Sequence, residues 1–309
     1  EREPGTRDKS MPSAEPLRLV GHKVEEFRPG VVGVEVWIEW RGRTFSGAAM
    51  GPDVPPGSLR TPALSTLRAL HSCMQVLYQG PLQPGLVLEN AVRVTIEGSP
   101  VVVVTFTASE SARPRALTAA WADQRASGLA VILATLHATS RTVTRWLSEE
   151  PAVGRRRRAA SEGPGISERD AAGAGRFTLV DFGVEHGTSG DLGLGVRLAG
   201  FGETVARHRH GSDNEAAAIQ LGASATLEAV QDLLRIGGWQ ERHEGDLRPA
   251  GACRLRTGED DIVVVLAEAL MNGHRIPLAG ATSADGGVER ASITATLQAT
   301  NTVVAERTA

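Results

Sequence analysis

The chain of 309 residues has little of several features that mark common protein classes. Cysteine occurs twice, at Cys73 and Cys253 with no CxxC pair, which excludes a disulfide scaffold. The longest apolar runs, such as 101–104, are far shorter than the roughly 20 residues that cross a bilayer, so we predict no membrane partner. The 33 basic and 36 acidic side chains leave a net charge of −3, which speaks against a nucleic-acid partner.

Motifs for catalysis are also missing. The sequence contains no G-x-S-x-G, no P-loop and no H-E-x-x-H, so we predict no catalytic residues and no cofactor. Lys9 and Lys23 are the only lysines, and a bias toward Arg, Gly and Ala is typical of a GC-rich coding sequence. Residues 1–15 are polar and lack the apolar core of a secretory signal, which predicts a disordered tail on a bacterial cytoplasmic protein.

An internal repeat relates the two halves of the chain. At an offset of 160 residues, Gly42, Gly51 and Asp53 fall on Gly202, Gly211 and Asp213, and at an offset of 161 residues 102–104 fall on 263–265. A duplicated domain is the simplest explanation. We place the copies at 16–149 and 176–309, joined by a flexible linker at 150–175 that is rich in Gly, Pro and charge.

Each half divides again into two units. The pattern Thr-Leu-x-Ala occurs at Thr66, Thr135, Thr226 and Thr296, each time in a segment of helical character that follows segments of strand character. This predicts an α+β fold: a tandem duplication of a βββα–βββα domain, with antiparallel sheets and helices packed on one face. The predicted strands are 17–27, 31–40, 43–50, 87–97, 100–108, 114–122, 177–185, 191–199, 202–210, 250–257, 260–268 and 274–283. The predicted helices begin near 61, 127, 215 and 287.

The strand patterns indicate which faces are buried. Between 34 and 40 the even positions are apolar, so Trp37 faces outward among glutamates and is a candidate contact residue, or a ring that covers its neighbours. By contrast, 101–104 and 262–266 are apolar at every position, which predicts cover on both faces. Helices supply one cover, and we expect a sheet of the same chain or of another subunit to supply the other. We therefore predict association through sheet faces or edges, with itself or another protein.

Two groups of polar residues are candidate sites. His208 and His210 are two apart on a strand, so their imidazoles share a face and could ligate a metal; the alternative is an exposed polar strand face. The loops that contain Gly51 with Asp53 and Gly211 with Asp213 precede helices. Together with the helix N-termini, these loops could hold a small anionic metabolite. The alternative is that the aspartates serve the structure alone, by terminating the strands.

A known family has tandem βββα units with a similar strand end and a similar Ala/Leu-rich helix after it. Here the strand end that resembles that family is Gly47-Ala48-Ala49-Met50-Gly51-Pro52-Asp53. The resemblance is to the C-terminal regulatory, dimerising domain of 2-isopropylmalate synthases, duplicated and without the catalytic barrel. It implies a domain that binds an end-product amino acid between two units and carries no catalysis. Arg207 replaces the equivalent of Gly47 in the third unit.

The sequence thus leads to one hypothesis with two alternatives. The leading hypothesis is a non-enzymatic ligand-sensing or assembly module that acts through sheet-mediated association. One alternative is a structural oligomer without a ligand. The other is an enzyme with a site between two sheets that uses His208, His210 and Asp213. The Arg155–Arg158 run in the linker is either a solvated charge run, or an RNA or phosphate site or a protease-sensitive spot.

Overall fold

A computed structural model describes residues 17–78, 84–109, 114–123, 128–148, 177–238, 246–257, 260–271 and 273–307. Four βββα units follow one another along these residues. The strands are β1 (Arg18–Arg28), β2 (Val31–Trp40), β3 (Arg43–Pro52), β4 (Gly85–Ile96), β5 (Ser99–Ser109), β6 (Arg115–Ala122), β7 (Thr178–His186), β8 (Asp191–Gly200), β9 (Glu203–Ser212), β10 (Asp246–Thr257), β11 (Asp260–Met271) and β12 (His274–Ser283). The helices are α1 (Gly57–Leu77), α2 (Gly128–Ser148), α3 (Glu215–Ile236) and α4 (Val288–Arg307). The predicted α+β class is confirmed.

Each unit contributes one three-stranded antiparallel sheet with its strands in chain order. Sheet 1 is β1–β3, sheet 2 is β4–β6, sheet 3 is β7–β9 and sheet 4 is β10–β12. The predicted tail, the linker and Arg155–Arg158 lie outside the described residues. Among the helices that the structure describes, none has the length and apolar character needed to span a membrane.

The start of α1 differs from the predicted start near 61. The helix begins at Gly57, and the backbone N–H groups of Leu59 and Arg60 donate to the carbonyl of Pro56 and close the first turn. Thr61 is inside the helix, where its hydroxyl donates to the carbonyl of Gly57 at 2.9 Å. The strand predicted at 43–50 is longer in the structure: β3 continues to Pro52 on an edge strand, where a missing N–H is tolerated.

The four Thr-Leu-x-Ala threonines occupy the same environment. Thr66, Thr135, Thr226 and Thr296 are all fully buried. Each hydroxyl donates to the carbonyl four residues earlier in its own helix, at 2.7 to 2.9 Å. A buried hydroxyl satisfied within its own helix leaves the helix surface free to pack closely. The repeated tetrapeptide therefore marks the buried stripe of each helix.

In each half, the helix pair packs between the inner faces of two sheets. One core cluster joins Val36 and Ile38 of sheet 1, Val104 and Phe106 of sheet 2, and both helices α1 and α2. An equivalent cluster joins sheet 3, α3, α4 and sheet 4. The inward positions of β2 are apolar and buried, as the alternation predicts.

The second cover of β5 and β11 comes from within the chain. A separate apolar cluster contains Val101 and Val103 of β5 together with Ile262, Val264 and Leu266 of β11, all between 0% and 1% exposed. Sheets 2 and 4 therefore pack face to face, with β6 against β12 and β4 against β10. The layers run in the order sheet 1, helices, sheet 2, sheet 4, helices, sheet 3. Sheets 1 and 3 form the two outer surfaces.

Helices approach the sheets closely at two glycines. A β-carbon at Gly47 would overlap the backbone of α1 at Ser65 and Ala69, and one at Gly280 would overlap the carbonyl of Ala295 in α4. The Ser65 hydroxyl also lies 2.7 Å from the carbonyl of Gly47. Only a residue without a side chain permits this approach.

Both cysteines are free, in agreement with the sequence. Cys73 is buried within the core of the first half, and burial raises the pKa of its thiol to about 11. Cys253 is half-buried, and burial raises its pKa as well. A thiol whose pKa is raised carries little thiolate at neutral pH and is a weak nucleophile.

We expect Gly47→Ala to lower the free energy of unfolding by roughly 1–3 kcal/mol, because the new methyl group overpacks against helix backbone. Gly85→Ala is the matched control, since no atom lies within 4 Å of a β-carbon there. It should change stability by less than about 0.5 kcal/mol. Denaturant unfolding of both variants makes the comparison, and equal stabilities would contradict the close approach.

Candidate functional site

The outer surface of sheet 1 contains the predicted contact residue Trp37. We call this surface the Trp37 face; its residues include Arg18, Lys23, Glu25 and Phe27 of β1, Glu35, Trp37 and Glu39 of β2, and Ser46, Ala48 and Met50 of β3. Trp37 is half-buried, and its Cε3 lies 3.9 Å from where a β-carbon of Gly21 would be, so the indole lies over that glycine. Phe27 covers Gly33 in the same way but stays 60% exposed, and Met50 is 61% exposed.

The outer surface of sheet 3 carries different residues at equivalent positions. We call it the His208 face; its residues include Asp181, Gly183 and Glu185 of β7, Gly193, Gly195 and Arg197 of β8, and Ala206, His208 and His210 of β9. A cavity of about 250 Å³, which we call the glycine trough, has Gly183 and Gly195 among its lining, with Arg197 and His208 beside them. The rings of His208 and His210 lie over the third glycine, Gly193. His208 lies over Gly195.

The predicted metal ligands lie together on this face. The Nδ1 atom of His208 is 3.0 Å from Nε2 of His210, and the rings meet edge to face with centroids 4.5 Å apart. Both side chains are exposed. Among the described residues, no group of three or more His, Cys, Asp or Glu side chains is placed to hold a metal ion. Metal binding by the two histidines stays a prediction.

The two Gly-x-Asp loops have the same structural role. The backbone N–H of Asp53 donates to the carbonyl of Gly30 at 3.0 Å, and that of Asp213 donates to Gly190 at 2.8 Å. Each bond ties the end of one strand to the turn between the two preceding strands. Gly51 lies against Thr61 of α1, and Gly211 lies against Leu221 of α3, which is the equivalent helix position.

Asp213 also has a side-chain partner that the sequence did not indicate. Its Oδ2 atom is 3.0 Å from Nδ1 of His186. Asn214, and not Asp213, caps α3, because its side chain accepts from the N–H of Ala217. The enzyme alternative requires a site between two sheets. In the structure, His208 and His210 instead lie on an outer sheet face.

A second cavity lies between the third and fourth units, beside the Asp213 loop. Its volume is about 350 Å³ and its lining is Glu215, Arg254, Arg256 and Asp261. Arg254 donates to Glu215 at 2.5 Å and also to Asp261, while the Nε atom of Arg256 is 3.7 Å from Asp261. The hydrogen bond from Arg254 lowers the pKa of the Asp261 carboxyl. Two cations and two carboxylates balance in this cavity.

The same ion pair occurs in the first half with its carboxylate on the neighbouring strand. Arg93 is the equivalent of Arg254 and donates to Asp123, which is 2% exposed. The backbone bonds of Asp123 to Pro100 and of Ala284 to Asp261 show that these are cross-strand neighbours. The arginine therefore occupies the same position in both halves, and in each half it pairs with an aspartate. The two aspartates occupy positions that are cross-strand neighbours and not equivalent ones.

Sequence reasoning missed the second cavity, the glycine trough and the partner of Asp213. The signal for the trough is present, because Gly183, Gly193 and Gly195 fall on one sheet face once the register is known. The cavity joins Glu215 to Arg254, which is 39 residues away, and no local pattern connects them. No known protein-family model and no curated protein matches the sequence.

We expect Asp261→Asn to lower the melting temperature at neutral pH, because it removes the ion pair with Arg254. A lowered carboxyl pKa stabilises the fold above the unfolded-state value of about 3.9, and this contribution is lost as the pH falls through the folded-state pKa. The gap between wild type and variant should therefore shrink below about pH 4. Thermal unfolding across pH 3–8 measures it, with the exposed Glu203→Gln as control. A gap that stays constant with pH would refute the assignment.

Proposed function

We propose that this protein is a non-enzymatic assembly module of a bacterial cytoplasm, which joins protein copies through its outer sheets. The observation that carries the proposal is the placement of its four sheets. Sheets 2 and 4 cover each other, whereas the equivalent outer faces of sheets 1 and 3 stay open in the part of the chain that the structure describes. Open sheet faces with exposed apolar side chains favour contact with another protein.

The exposed side chains on the Trp37 face support this role. Phe27 and Met50 are large, apolar and more than half exposed. Both lie beside Gly33 of β2, four residues along the strand from the half-buried Trp37. Aromatic and methionine side chains are enriched in the centres of protein interfaces. The resemblance to a regulatory, dimerising domain adds the expectation that the module carries no catalysis.

We expect the purified chain to associate in a concentration-dependent way, with a mass above the 32.6 kDa of one copy. Exposed apolar groups on the sheet faces gain free energy when a second protein covers them. Sedimentation velocity over a wide concentration range measures the mass. Val76→Asp, on an exposed position of α1 away from both faces, should associate as wild type does. A strict monomer at the highest concentration would refute the proposal.

A second candidate function is the sensing of a small carboxylate at the cavity of Glu215, Arg254, Arg256 and Asp261. The observation that favours it is the 80% exposed side chain of Arg256, whose contact with Asp261 is long at 3.7 Å. An arginine so placed can turn to a ligand carboxylate and bind it with two hydrogen bonds. An amino acid bound at this point would contact both units of the second half.

This candidate predicts that a panel of amino and keto acids contains a ligand that raises the melting temperature of wild type. Arg256→Ala should abolish the rise, because it removes the guanidinium that reaches the ligand. Arg248→Ala is the matched control, since Arg248 is an exposed arginine of the same strand paired with Asp246. A rise that persists in Arg256→Ala, or no rise with any member of the panel, would reject the site.

A further inference from the structure

The outer faces of the two copies have diverged at equivalent positions. Trp37 corresponds to Arg197, Ala48 to His208 and Met50 to His210, at the same offset of 160 residues that relates the halves. Glu35 corresponds to Gly195, which forms part of the trough. The central strand of one face therefore carries Trp37 between two glutamates, and that of the other carries Arg197 next to glycines, with two imidazoles on the neighbouring strand.

The packing of sheet 2 on sheet 4 shows how two such sheets meet. There, each strand lies against its equivalent: β4 against β10 and β6 against β12. If sheet 1 met sheet 3 of another copy in this arrangement, β1 would lie on β7, β2 on β8 and β3 on β9.

In that arrangement opposite charges meet in two of the three strand pairs, β1 with β7 and β2 with β8. Arg18 and Lys23 of β1 meet the strand that carries Asp181 and Glu185. Glu25 lies on the same face of β1 and pairs with Lys23, so Arg18 supplies the net positive charge of this strand.

The pair of β2 with β8 is complementary as well, whereas the face residues of β3 and β9 contribute no charge pair. Glu35 and Glu39 of β2 meet the strand that carries Arg197, and Met50 of β3 meets the strand of the histidines. Opposite charges placed across an interface fix its orientation and reject other partners.

The same arrangement between two identical faces is unfavourable. If two Trp37 faces met in this way, Glu35 and Glu39 of one copy would lie against Glu35 and Glu39 of the other. The cations of β1 would likewise lie against the cations of the other β1. Like charges that face each other across an interface cost several kcal/mol. The charge pattern thus selects unlike faces.

We propose that the Trp37 face of one copy docks on the His208 face of a second copy. This inference rests on the proposed assembly function and specifies its interface. The two faces lie at opposite ends of the layered molecule, so the contact is head to tail and each added copy presents a new open face. The assembly continues as a filament unless the rotation between copies closes it into a ring.

Charge reversal on each face tests the interface. The variants are Glu35→Arg/Glu39→Arg on the Trp37 face and Arg197→Glu on the His208 face, with Glu203→Arg as a matched charge reversal outside both faces. Thermal unfolding confirms that each is folded, and sedimentation velocity measures association. We expect each face variant alone to associate at least about tenfold more weakly than wild type. The Glu203→Arg control should associate as wild type does.

An equimolar mixture of the two face variants is the decisive measurement. In the mixture, the wild-type Trp37 face of one variant meets the wild-type His208 face of the other, so association should recover. The two reversed faces also complement each other. No recovery in the mixture would overturn the head-to-tail contact. The contact would also be overturned if Glu35→Arg/Glu39→Arg lost association and Arg197→Glu associated as wild type does. That result would leave sheet-mediated assembly in place. A monomeric wild type would instead reject the assembly function itself.

Discussion

The face-to-face packing of sheets 2 and 4 is the contact on which the rest of the structure depends. The central strands β5 and β11 are apolar on both faces, and each helix pair covers only one of them. Water against the other face would be costly, because burial of apolar surface is the main favourable contribution to folding. Each half therefore completes the core of the other, and the outer sheets point away from each other.

The two copies have kept their interior and changed their surface. The buried threonines keep one hydrogen-bond pattern in all four units, and the buried Asp123 keeps an arginine partner, Arg93. Buried groups without partners are expensive, which restrains such positions. No such penalty acts on an exposed strand face, so Trp37 and Arg197 could come to occupy equivalent places.

This divergence is what gives the molecule two different ends. A duplicated domain with identical outer faces would associate symmetrically or not at all. The His208 face with its glycine trough and the Trp37 face with its glutamates are unlike, which favours the directional contact proposed above. The packing of sheet 2 on sheet 4 is the arrangement from which that contact is inferred. The cavity between the third and fourth units depends on Glu215. The equivalent position in the first half is Pro55, which cannot supply the same carboxylate.

From the sequence alone follow the four units, the antiparallel α+β fold and the buried face of β2, because periods of 2 and 3.6 residues record which side of an element meets the core. The predicted start of α1 near 61 is wrong, because the carbonyl of Pro56 closes the first turn and the helix begins at Gly57. The contacts of sheet 2 with sheet 4, of His186 with Asp213 and of Glu215 with Arg254 become visible only in the folded chain. These contacts join segments far apart in the chain, and the stacking of layers that brings them together leaves no periodic trace in the sequence.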